Sequence, residues 1–280
     1  MSEHARDVAS TGRIAVLHPG EMGAAIGALL VGRGRDVLWL PSGRSAASAG
    51  RARAAGMRPA SRQEVLDADV ILSVCPPAAA LDVARSLRGT KALVIEANAV
   101  SPATAREIGE IIGERCVDGG IIGPPPHEAG TTRLFLSGPL AGDAAGVFAG
   151  TSLEAVVLDG TPTAASALKM AYAAWTKGTA ALLLGAFALA RSNSVDDALI
   201  SEWRRSQPDL EQRLQMAVGS AAAKGWRWVG EMHEIAATFT QAGLPPGFAE
   251  AAAEVFAAFP RGQHADLDEL VSALLEPVRG

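Results

Sequence analysis

The feature that most constrains this chain is an alternation of short apolar runs with helical patterns over its first 160 residues. Runs such as VILSV and ALVIEA are apolar on both faces, which is typical of strands that helices cover on both sides. A strand–helix–strand repeat predicts parallel pairing through right-handed crossovers. Strands are predicted at residues 13–17, 36–40, 69–74, 92–97, 117–122, 133–137 and 155–158, and helices at 22–33, 44–55, 62–68, 78–87 and 102–113.

The pattern changes near residue 160, beyond which alanine and leucine dominate and no strand is predicted. Thr161-Pro162 is a helix start signal, and since no proline interrupts the residues that follow, we predict one helix of about 30 residues. Shorter helices are predicted at 195–205, 209–223, 227–241, 247–259 and 266–275, with Lys224-Gly225 in a loop. The chain is therefore expected to have an α/β domain at residues 1–160 and an all-α domain at residues 161–280.

The segment RIAVLHPGEMG, residues 13–23, follows the pattern of a dinucleotide-binding turn with its first glycine replaced. A strand leads through a tight turn into a helix, whose N-terminus offers unpaired N–H groups and partial positive charge to a pyrophosphate. Gly20 is expected to let the phosphates approach the backbone, and Gly23 to let the helix pack close to the sheet. Because these two roles survive the change to His18-Pro19, we predict a Rossmann-type, doubly wound, mostly parallel sheet. The predicted cofactor contacts of the turn are Gly20, Glu21, Met22 and Gly23.

The end of the second predicted strand favours NADP(H) over NAD(H). An NAD site usually places Asp or Glu about 20 residues past the glycines, on the ribose 2′-hydroxyl, but no acid occurs between Asp36 and Glu64. Ser42, Arg44 and Ser45 stand there instead, and a guanidinium with two hydroxyls suits a 2′-phosphate. The alternative is a solvated loop with an incidental arginine.

Two turns at the expected carboxyl ends of later strands add candidate cofactor contacts. Cys75 and Pro76 open a rigid turn in SVCPPAA, and Asn98 follows the next strand in IEANAVSPAT. Carboxyl ends of parallel strands line the ligand crevice of such sheets. We expect the prolines to shape the crevice over the cofactor. Asn98 is expected to reach the nicotinamide ribose or the substrate, or else only to cap a loop.

Charge and cysteine content exclude several other classes of function. The formal net charge is −5 and the arginines are scattered, so we expect no nucleic-acid partner and no membrane attraction. The longest apolar run, 178–190, is shorter than the roughly 20 residues of a membrane span and is predicted to be a buried helix. Two cysteines without paired spacing, and no cluster of histidine and cysteine, predict no metal site and a reducing, cytoplasmic setting.

On these residues the chain resembles the β-hydroxyacid dehydrogenases, which include 6-phosphogluconate and 3-hydroxyisobutyrate dehydrogenases, over nearly its whole length. It is most similar to a divergent branch labelled phosphogluconate dehydrogenase-like. The resemblance implies NAD(P)-dependent redox chemistry, a Rossmann domain followed by an all-helical domain that dimerises, and Lys169 as the residue that exchanges a proton with the substrate oxygen. It rests on the glycine turn at 20–23, Val74-Cys75-Pro76, Ser101-Pro102, Asp118 before a glycine-rich turn, and the long helix that carries Lys169.

Four residues depart from the pattern of this family. Ala173 stands four residues after the lysine, where an asparagine is usual. Ile122 aligns with the serine that binds the substrate carboxylate, and Asn98-Ala99 replaces a serine–threonine pair. The lysine thus remains while much of the carboxylate-binding set is lost, so the simple 3-hydroxy acids of better-known members are not the expected substrates.

Residues that follow the lysine on the long helix are the substitutes we predict. Helical spacing places Tyr172 and Thr176 near the face of Lys169, with Lys177 on nearly the same side. Tyr172 is predicted to act with the lysine in catalysis, or alternatively to pack the helix against its neighbours. The predicted substrate contacts are Ile122, Gly123, Thr176, Lys177 and His233, the last of which has packing as its alternative role.

Three functions follow as hypotheses. The leading one is an NADP(H)-dependent oxidoreductase that acts on a small hydroxy or carbonyl compound, with Lys169 as general acid and base. The second is a reductase of C=N bonds, which the missing serine favours and the retained lysine disfavours; the third is a weakly catalytic NADP(H)-binding sensor. We expect a homodimer, because a helix that is apolar nearly all round must be buried against something. The core of a monomeric helical domain is the alternative.

Overall fold

The computed structural model of the chain describes residues 12–259 and 266–275. Its strands all lie in the first part of the chain and form one eight-stranded sheet, with strand order β3-β2-β1-β4-β5-β6-β7-β8. The predicted mostly parallel α/β sheet is confirmed. The strands are β1 (Ile14–Val16), β2 (Val37–Trp39), β3 (Arg58–Pro59), β4 (Val70–Ser73), β5 (Leu93–Glu96), β6 (Cys116–Ile122), β7 (Arg133–Ser137) and β8 (Glu154–Val157).

The direction of the strands defines one edge of the sheet as its carboxyl edge. All neighbouring pairs from β3 to β6 are parallel, β6 and β7 are antiparallel, and β7 and β8 are parallel. The turn after β1, the turn after β4 and the end of β6 therefore lie at the same edge. In parallel sheets this is the edge where ligands bind.

Helices cover both faces of the sheet. Alternate residues of β1 belong to different apolar clusters, Ile14 and Val16 to one and Ala15 to the other, because successive side chains of a strand point to opposite faces. This two-sided burial explains the continuous apolar runs of the sequence. The helices that flank the sheet are α1 (Glu21–Gly32), α2 (Ala46–Ala54), α3 (Arg62–Leu66), α4 (Ala80–Ser86), α5 (Pro102–Ile112) and α6 (Ala141–Gly146).

The sequence predicts neither strand β3 nor helix α6. Strand β3 has only two residues, both exposed, and pairs with β2 through Leu38 and Trp39. Its proline fits an edge position, where a missing N–H costs no ladder bond. Arg58 is held there by ion pairs with Asp36 and Glu64. Such a strand carries no apolar pattern, so only its tertiary pairing reveals it.

In the second part of the chain, the described residues form helices and no strand. The long helix predicted after residue 161 is confirmed as α7, and the chain divides into two compact units between Lys169 and Met170, inside this helix. The boundary predicted from the sequence lies earlier, after residue 160. The helices are α7 (Ala164–Ser192), α8 (Asp196–Ser206), α9 (Leu210–Gln241), α10 (Gly247–Ala257) and α11 (Leu267–Leu275).

Helix α9 corrects the prediction of two helices separated by a loop at Lys224-Gly225. It runs without a break for 32 residues. Gly225 is buried, and a Cβ at this position would lie 3.2 Å from a ring carbon of Phe259 and 3.7 Å from one of Phe256. The glycine therefore serves a close approach between helices and is not a helix stop.

The run 178–190 of α7 was predicted to be buried, and this prediction is wrong for part of the run in the single chain. Ala181, Leu184 and Ala188 are buried, but the side chains of Leu182 and Leu189 are 71% and 66% exposed. Together with Trp175, also 66% exposed, these leucines form an apolar stripe with a spacing of seven residues. By length and composition alone α7 would also pass as a membrane-spanning helix, a test that core helices of soluble proteins pass too.

Candidate cofactor and active site

The turn after β1 keeps the two glycines that a dinucleotide site needs. Gly20 is the N-cap of α1, with φ of −68°, and a Cβ on it would meet no atom within 4 Å. A Cβ on Gly23 would lie 2.3 Å from the carbonyl oxygen of His18. Gly23 thus permits the close packing of helix and strand, while the space in front of Gly20 is open. Met22 packs partly buried against the core, and Glu21 begins the helix.

The replacement of the first glycine by His18 has a backbone explanation. Among the described residues, Ser194 is the only non-glycine residue with a positive φ. His18 therefore adopts a conformation that any residue tolerates, and this turn does not require glycine at that position.

Arg44 lies near enough to this turn for its charge to act on His18, and the two side chains suit an anionic group. Burial, and secondarily the charge of Arg44, lowers the pKa of His18 to about 4, so this imidazole is neutral at pH 7. His18 Nδ1 and Arg44 Nε are both buried without a hydrogen-bond partner in the described part of the chain. Unpaired buried polar atoms are costly, and a phosphate oxygen next to an open turn is the type of partner they fit.

The other polar residues after β2 have defined contacts. Ser45 caps α2 by accepting a hydrogen bond from the backbone N–H of Ser48, at 3.2 Å, while Ser42 is exposed. Arg51, which the sequence analysis missed, donates from Nε to the carbonyl oxygen of Pro19, at 3.2 Å, and from Nη2 to Ser48 Oγ. The structure thus places a second guanidinium against the cofactor turn. The only signal in the sequence is its position in the helix after β2.

Asn98 contacts the turn after β4 and is buried. Its Oδ1 accepts a hydrogen bond from the backbone N–H of Cys75, and its Nδ2 donates to Ser73 Oγ at 3.2 Å. Both polar ends of the Asn98 side chain therefore hold the turn after β4. Burial raises the pKa of the Cys75 thiol to about 12, so the thiol stays protonated. Pro76 then leads into a short 3₁₀ helix at Pro77–Ala79.

Lys169 lies at the carboxyl edge of the sheet. Its Nζ donates a hydrogen bond to the backbone carbonyl of Ile121, near the end of β6, at 2.8 Å. The close approach of helix and strand depends on Gly120, because a Cβ there would lie 2.7 Å from the carbonyl oxygen of Ala165 and 3.1 Å from Lys169 Cβ. The ammonium group is thereby presented at the edge of the sheet that also carries the glycine turn.

Ile122 and Gly123 follow directly and have structural roles in the turn to β7. Ile122 is buried. Gly123 has φ of +123°, and a Cβ there would lie 2.3 Å from the carbonyl oxygen of Thr131. Both residues follow Ile121, whose carbonyl oxygen accepts from Lys169, and neither supplies a polar side chain.

In the helical unit, the remaining predicted site residues do not all come together. Thr176 and Lys177 line a cavity of about 350 Å³ between α7 and α9, together with Trp228. Lys177 pairs with Glu231 and lies 5.8 Å from the centre of the Trp228 ring. Tyr172 and His233 are exposed, on α7 and α9 respectively, and Ala173 is buried. Within residues 12–259 and 266–275 there is no group of three or more side chains suited to hold a metal ion.

Comparison with known proteins places this chain beside dehydrogenase-like folds. The family DUF1932, a domain of unknown function, matches residues 190–259. Among curated proteins no sequence matches the chain significantly. A conserved hypothetical protein from Sinorhizobium meliloti 1021 is 26% identical, with a TM-score of 0.69, and the match covers 95% of this chain and 96% of that one.

Two enzymes of solved structure share the fold at lower identity. The 3-hydroxyisobutyrate dehydrogenase of Mycobacterium tuberculosis is 18% identical, with a TM-score of 0.68 over 95% of this chain and 99% of that one. A reductive aminase from Aspergillus terreus, solved with NADPH and ethyl levulinate, is 18% identical, with a TM-score of 0.55 over 94% and 99%. These two enzymes show the fold that the resemblance to the β-hydroxyacid dehydrogenases implies, and the DUF1932 match lies in its helical part.

Proposed function

We propose that this chain is a cytoplasmic NADP(H)-dependent oxidoreductase that acts on a small hydroxy or carbonyl compound, with Lys169 as general acid and base. One observation carries the proposal. The Lys169 ammonium group is held by the Ile121 carbonyl at the carboxyl edge of the sheet, the edge where the open glycine turn also lies. A proton donor and a dinucleotide turn on one edge are the two parts that a hydride-transferring site needs.

The residues around the turn fit the dinucleotide. The open backbone at Gly20 leaves room for the pyrophosphate, and the N-terminus of α1 attracts it. The unpaired Nε of Arg44 suits the 2′-phosphate, with Ser45 and Arg51 beside it. The bound cofactor supplies or accepts the hydride. The proposal of NADP(H) over NAD(H) rests on these guanidinium groups and on the absence of an acid at the end of β2.

The chain itself moves the proton. In reduction Lys169 donates a proton to the substrate oxygen as that oxygen gains negative charge, and in oxidation it accepts the hydroxyl proton. The ammonium group has three N–H donors, and its hydrogen bond to the Ile121 carbonyl fixes the direction of the side chain. We propose that Tyr172 acts with Lys169 in catalysis, and that Thr176, Lys177 and His233 contact the substrate.

A reductase of C=N bonds is the second candidate. It is favoured by the apolar residues Ile122 and Ala173, which stand where carboxylate-binding and orienting side chains are expected in the hydroxyacid dehydrogenases. Both side chains are buried. A site with few carboxylate-binding groups suits an uncharged ketone or imine better than a hydroxy acid.

The assembly we propose is a homodimer. The apolar stripe of α7, formed by Trp175, Leu182 and Leu189, is exposed in the single chain. A seven-residue spacing of apolar side chains is the pattern by which one helix packs along another. We therefore propose that the stripe packs against a second copy of the chain.

Cofactor binding and turnover test the proposal separately. Thermal unfolding with NADPH or NADH should show stabilisation by NADPH at lower concentration, since a ligand that binds only the folded state raises its stability. Arg44→Ala should weaken NADPH about 10- to 100-fold and leave NADH unchanged, because it removes a charge-assisted bond to phosphate. Arg53→Ala, an exposed arginine of α2, is the matched control. No stabilisation by either cofactor would refute the assignment.

The reaction is then assigned with NADPH and NADP⁺ on a panel of hydroxy acids, aldehydes, ketones and cyclic imines. Faster turnover of carbonyl or hydroxyl compounds supports the leading proposal, and faster turnover of imines supports the second. Binding of NADPH without turnover of any compound, at every pH between 5 and 10, would favour the sensor.

A further inference from the structure

Two buried carboxylates stand side by side behind the candidate active site. Glu96 and Asp118 are register partners on β5 and β6. They are 2% and 7% exposed and are the buried charged residues within 12–259 and 266–275. Burial of a carboxylate is costly unless donors surround it. The donors around Asp118 show what it does.

The donors to Asp118 come chiefly from the first turn of α7. Asp118 Oδ2 accepts from the backbone N–H of Ser166 and from Ser137 Oγ, each at 2.9 Å, and Oδ1 accepts from Ser166 Oγ. The backbone N–H of Ala165 donates to Ser137 Oγ at 3.0 Å. The first N–H groups of a helix have no partner within the helix. Asp118 therefore caps α7 from another element of the fold, 48 residues earlier in the chain.

The same strand holds the helix a second time, one turn later. Lys169, three residues after Ser166, donates to the carbonyl of Ile121, three residues after Asp118. Gly120, between the two points on the strand, lets the helix backbone come close. Because α7 is fixed to β6 at both points, the position of the ammonium group depends on the carboxylate.

The neighbouring Glu96 has different partners. Its Oε1 accepts from the backbone N–H of Asn98 at 3.1 Å, on the side of the turn after β4. Burial raises the pKa of Glu96 to about 8. Burial also raises the pKa of Asp118, while the hydrogen bonds from Ser166 and Ser137 act to lower it. Two adjacent buried carboxylates do not both ionise readily. Asp118 has more hydrogen-bond donors than Glu96, and therefore keeps the negative charge while Glu96 keeps a proton.

We propose that Asp118 is the positioning residue of Lys169: its carboxylate fixes the first turn of α7 to β6 and so sets where the lysine ammonium group is presented. The chemical importance of this position rests on the proposed function, in which Lys169 moves the proton. The positioning itself concerns the folded chain and is measurable without a substrate.

The test is a lysine NMR experiment, for which this chain is well suited because it has four lysines, Lys91, Lys169, Lys177 and Lys224. Labelling with [ε-¹³C]lysine gives four resonances, and loss of one signal in Lys169→Met assigns that of Lys169. Asp118→Asn, which keeps the size of the side chain, should displace the Lys169 resonance and leave the other three in place. Asp82→Asn is the matched control, since Asp82 is an exposed carboxylate in the first turn of α4.

An unchanged Lys169 resonance in a folded Asp118→Asn protein would overturn the proposal, as would equal displacement of all four. If Asp118→Asn does not fold, Ser166→Ala decides, because it removes one donor and keeps the carboxylate. It should displace the same resonance by a smaller amount, and no displacement refutes the proposal.

Kinetics add a readout that a purely structural role would not move. Asp118→Asn should lower kcat about 10- to 100-fold, as expected for a misplaced reacting group, with the KM for NADPH unchanged. In the Lys169→Met background the same change should have no further effect, whereas additive losses would contradict the proposal. Full activity of Lys169→Met itself would refute the proposed function and leave the NMR result on Asp118 valid.

Discussion

The two ends of helix α7 differ in how they are held. Its first two turns are fixed by polar contacts: Asp118 and Ser137 accept hydrogen bonds from backbone N–H groups, and Lys169 donates to the Ile121 carbonyl. Its later turns carry the apolar stripe, whose members Leu182 and Leu189 are mostly exposed. The start of α7 is thus held by contacts within the chain, whereas the apolar stripe of its later turns is exposed in the single chain.

This difference indicates which part of α7 serves the proposed chemistry and which part serves the proposed dimer. Directional hydrogen bonds specify the position of a side chain closely, which suits a group that must meet a reacting atom. An apolar stripe specifies little by itself, but it gains free energy when another surface covers it. We therefore expect chemistry to respond to changes at the first turn, and assembly to respond to changes along the stripe.

The largest effect is expected at the lysine. Lys169→Met should lower kcat/KM about 10²- to 10⁴-fold, the usual contribution of a general acid or base, with NADPH affinity unchanged. Steady-state kinetics on the best substrate of the panel, together with NADPH titration, measure both quantities. Lys91→Met, an exposed lysine before β5, should behave like the parent chain. Full activity of the Lys169→Met variant would show that this end of α7 takes no part in the proton transfer.

The buried carboxylates predict the next largest effect, on stability. Because burial raises the pKa of Glu96 from 4.5 to about 8, the folded chain binds this proton more tightly than the unfolded chain. The stabilisation is complete below pH 4.5 and is lost as pH rises through 8, and the shift of Asp118 has the same sign. The free energy of unfolding should fall by about 2–4 kcal/mol between pH 5 and pH 9.

Urea unfolding at the two pH values checks this, with Glu96→Gln as the comparison. The glutamine cannot ionise, so most of the decline should disappear in the variant. An equal decline in both proteins would mean that Glu96 does not hold the proton.

The apolar stripe predicts an effect on assembly. Leu182→Glu should raise the dimer dissociation constant about 100-fold or more, because it places an unpaired charge in the contact. Sedimentation velocity over a range of protein concentrations measures the dissociation. Phe248→Glu is the control, since Phe248 is 81% exposed on α10 and lies outside the stripe. If both variants keep the oligomeric state of the parent chain, the stripe is not the dimer contact.

The smallest effect is expected from a single added methyl group. Gly120→Ala places a Cβ 2.7 Å from the Ala165 carbonyl oxygen, which should lower the free energy of unfolding by about 1–3 kcal/mol. Gly109→Ala in α5 is the matched control, because its Cβ meets nothing within 4 Å and alanine favours a helix. A Gly120→Ala protein as stable as the control would show that α7 is not seated closely on β6.

Much of the fold was predictable because its signals are local. Every predicted strand is present, since each is a short apolar run, and most of these strands are buried on both faces. The glycine turn was predictable for the same reason, as Gly20 and Gly23 act within one strand–turn–helix segment. The stop predicted at Gly225 was wrong, because sequence cannot distinguish a glycine that ends a helix from one that admits a ring.

The candidate site was predictable only in part. Arg44 was predicted from its position after a strand, and Lys169 from the resemblance to the β-hydroxyacid dehydrogenases. The contact of Arg51 with Pro19 joins residues 32 apart in the chain, and no local pattern indicates it. Asn98 was expected at the ligand, but both polar ends of its side chain are engaged by Cys75 and Ser73.

The sequence by itself determined the order of strands and helices, the glycine turn and the place of Lys169 on a long helix, because apolar periodicity and backbone freedom act over neighbouring residues. The tertiary structure decided which polar groups meet: Asp118 with the first turn of α7, and Lys169 with the Ile121 carbonyl. Both contacts join residues 48 apart in the chain. Such pairings depend on how packed elements approach one another, and only the folded chain specifies that distance.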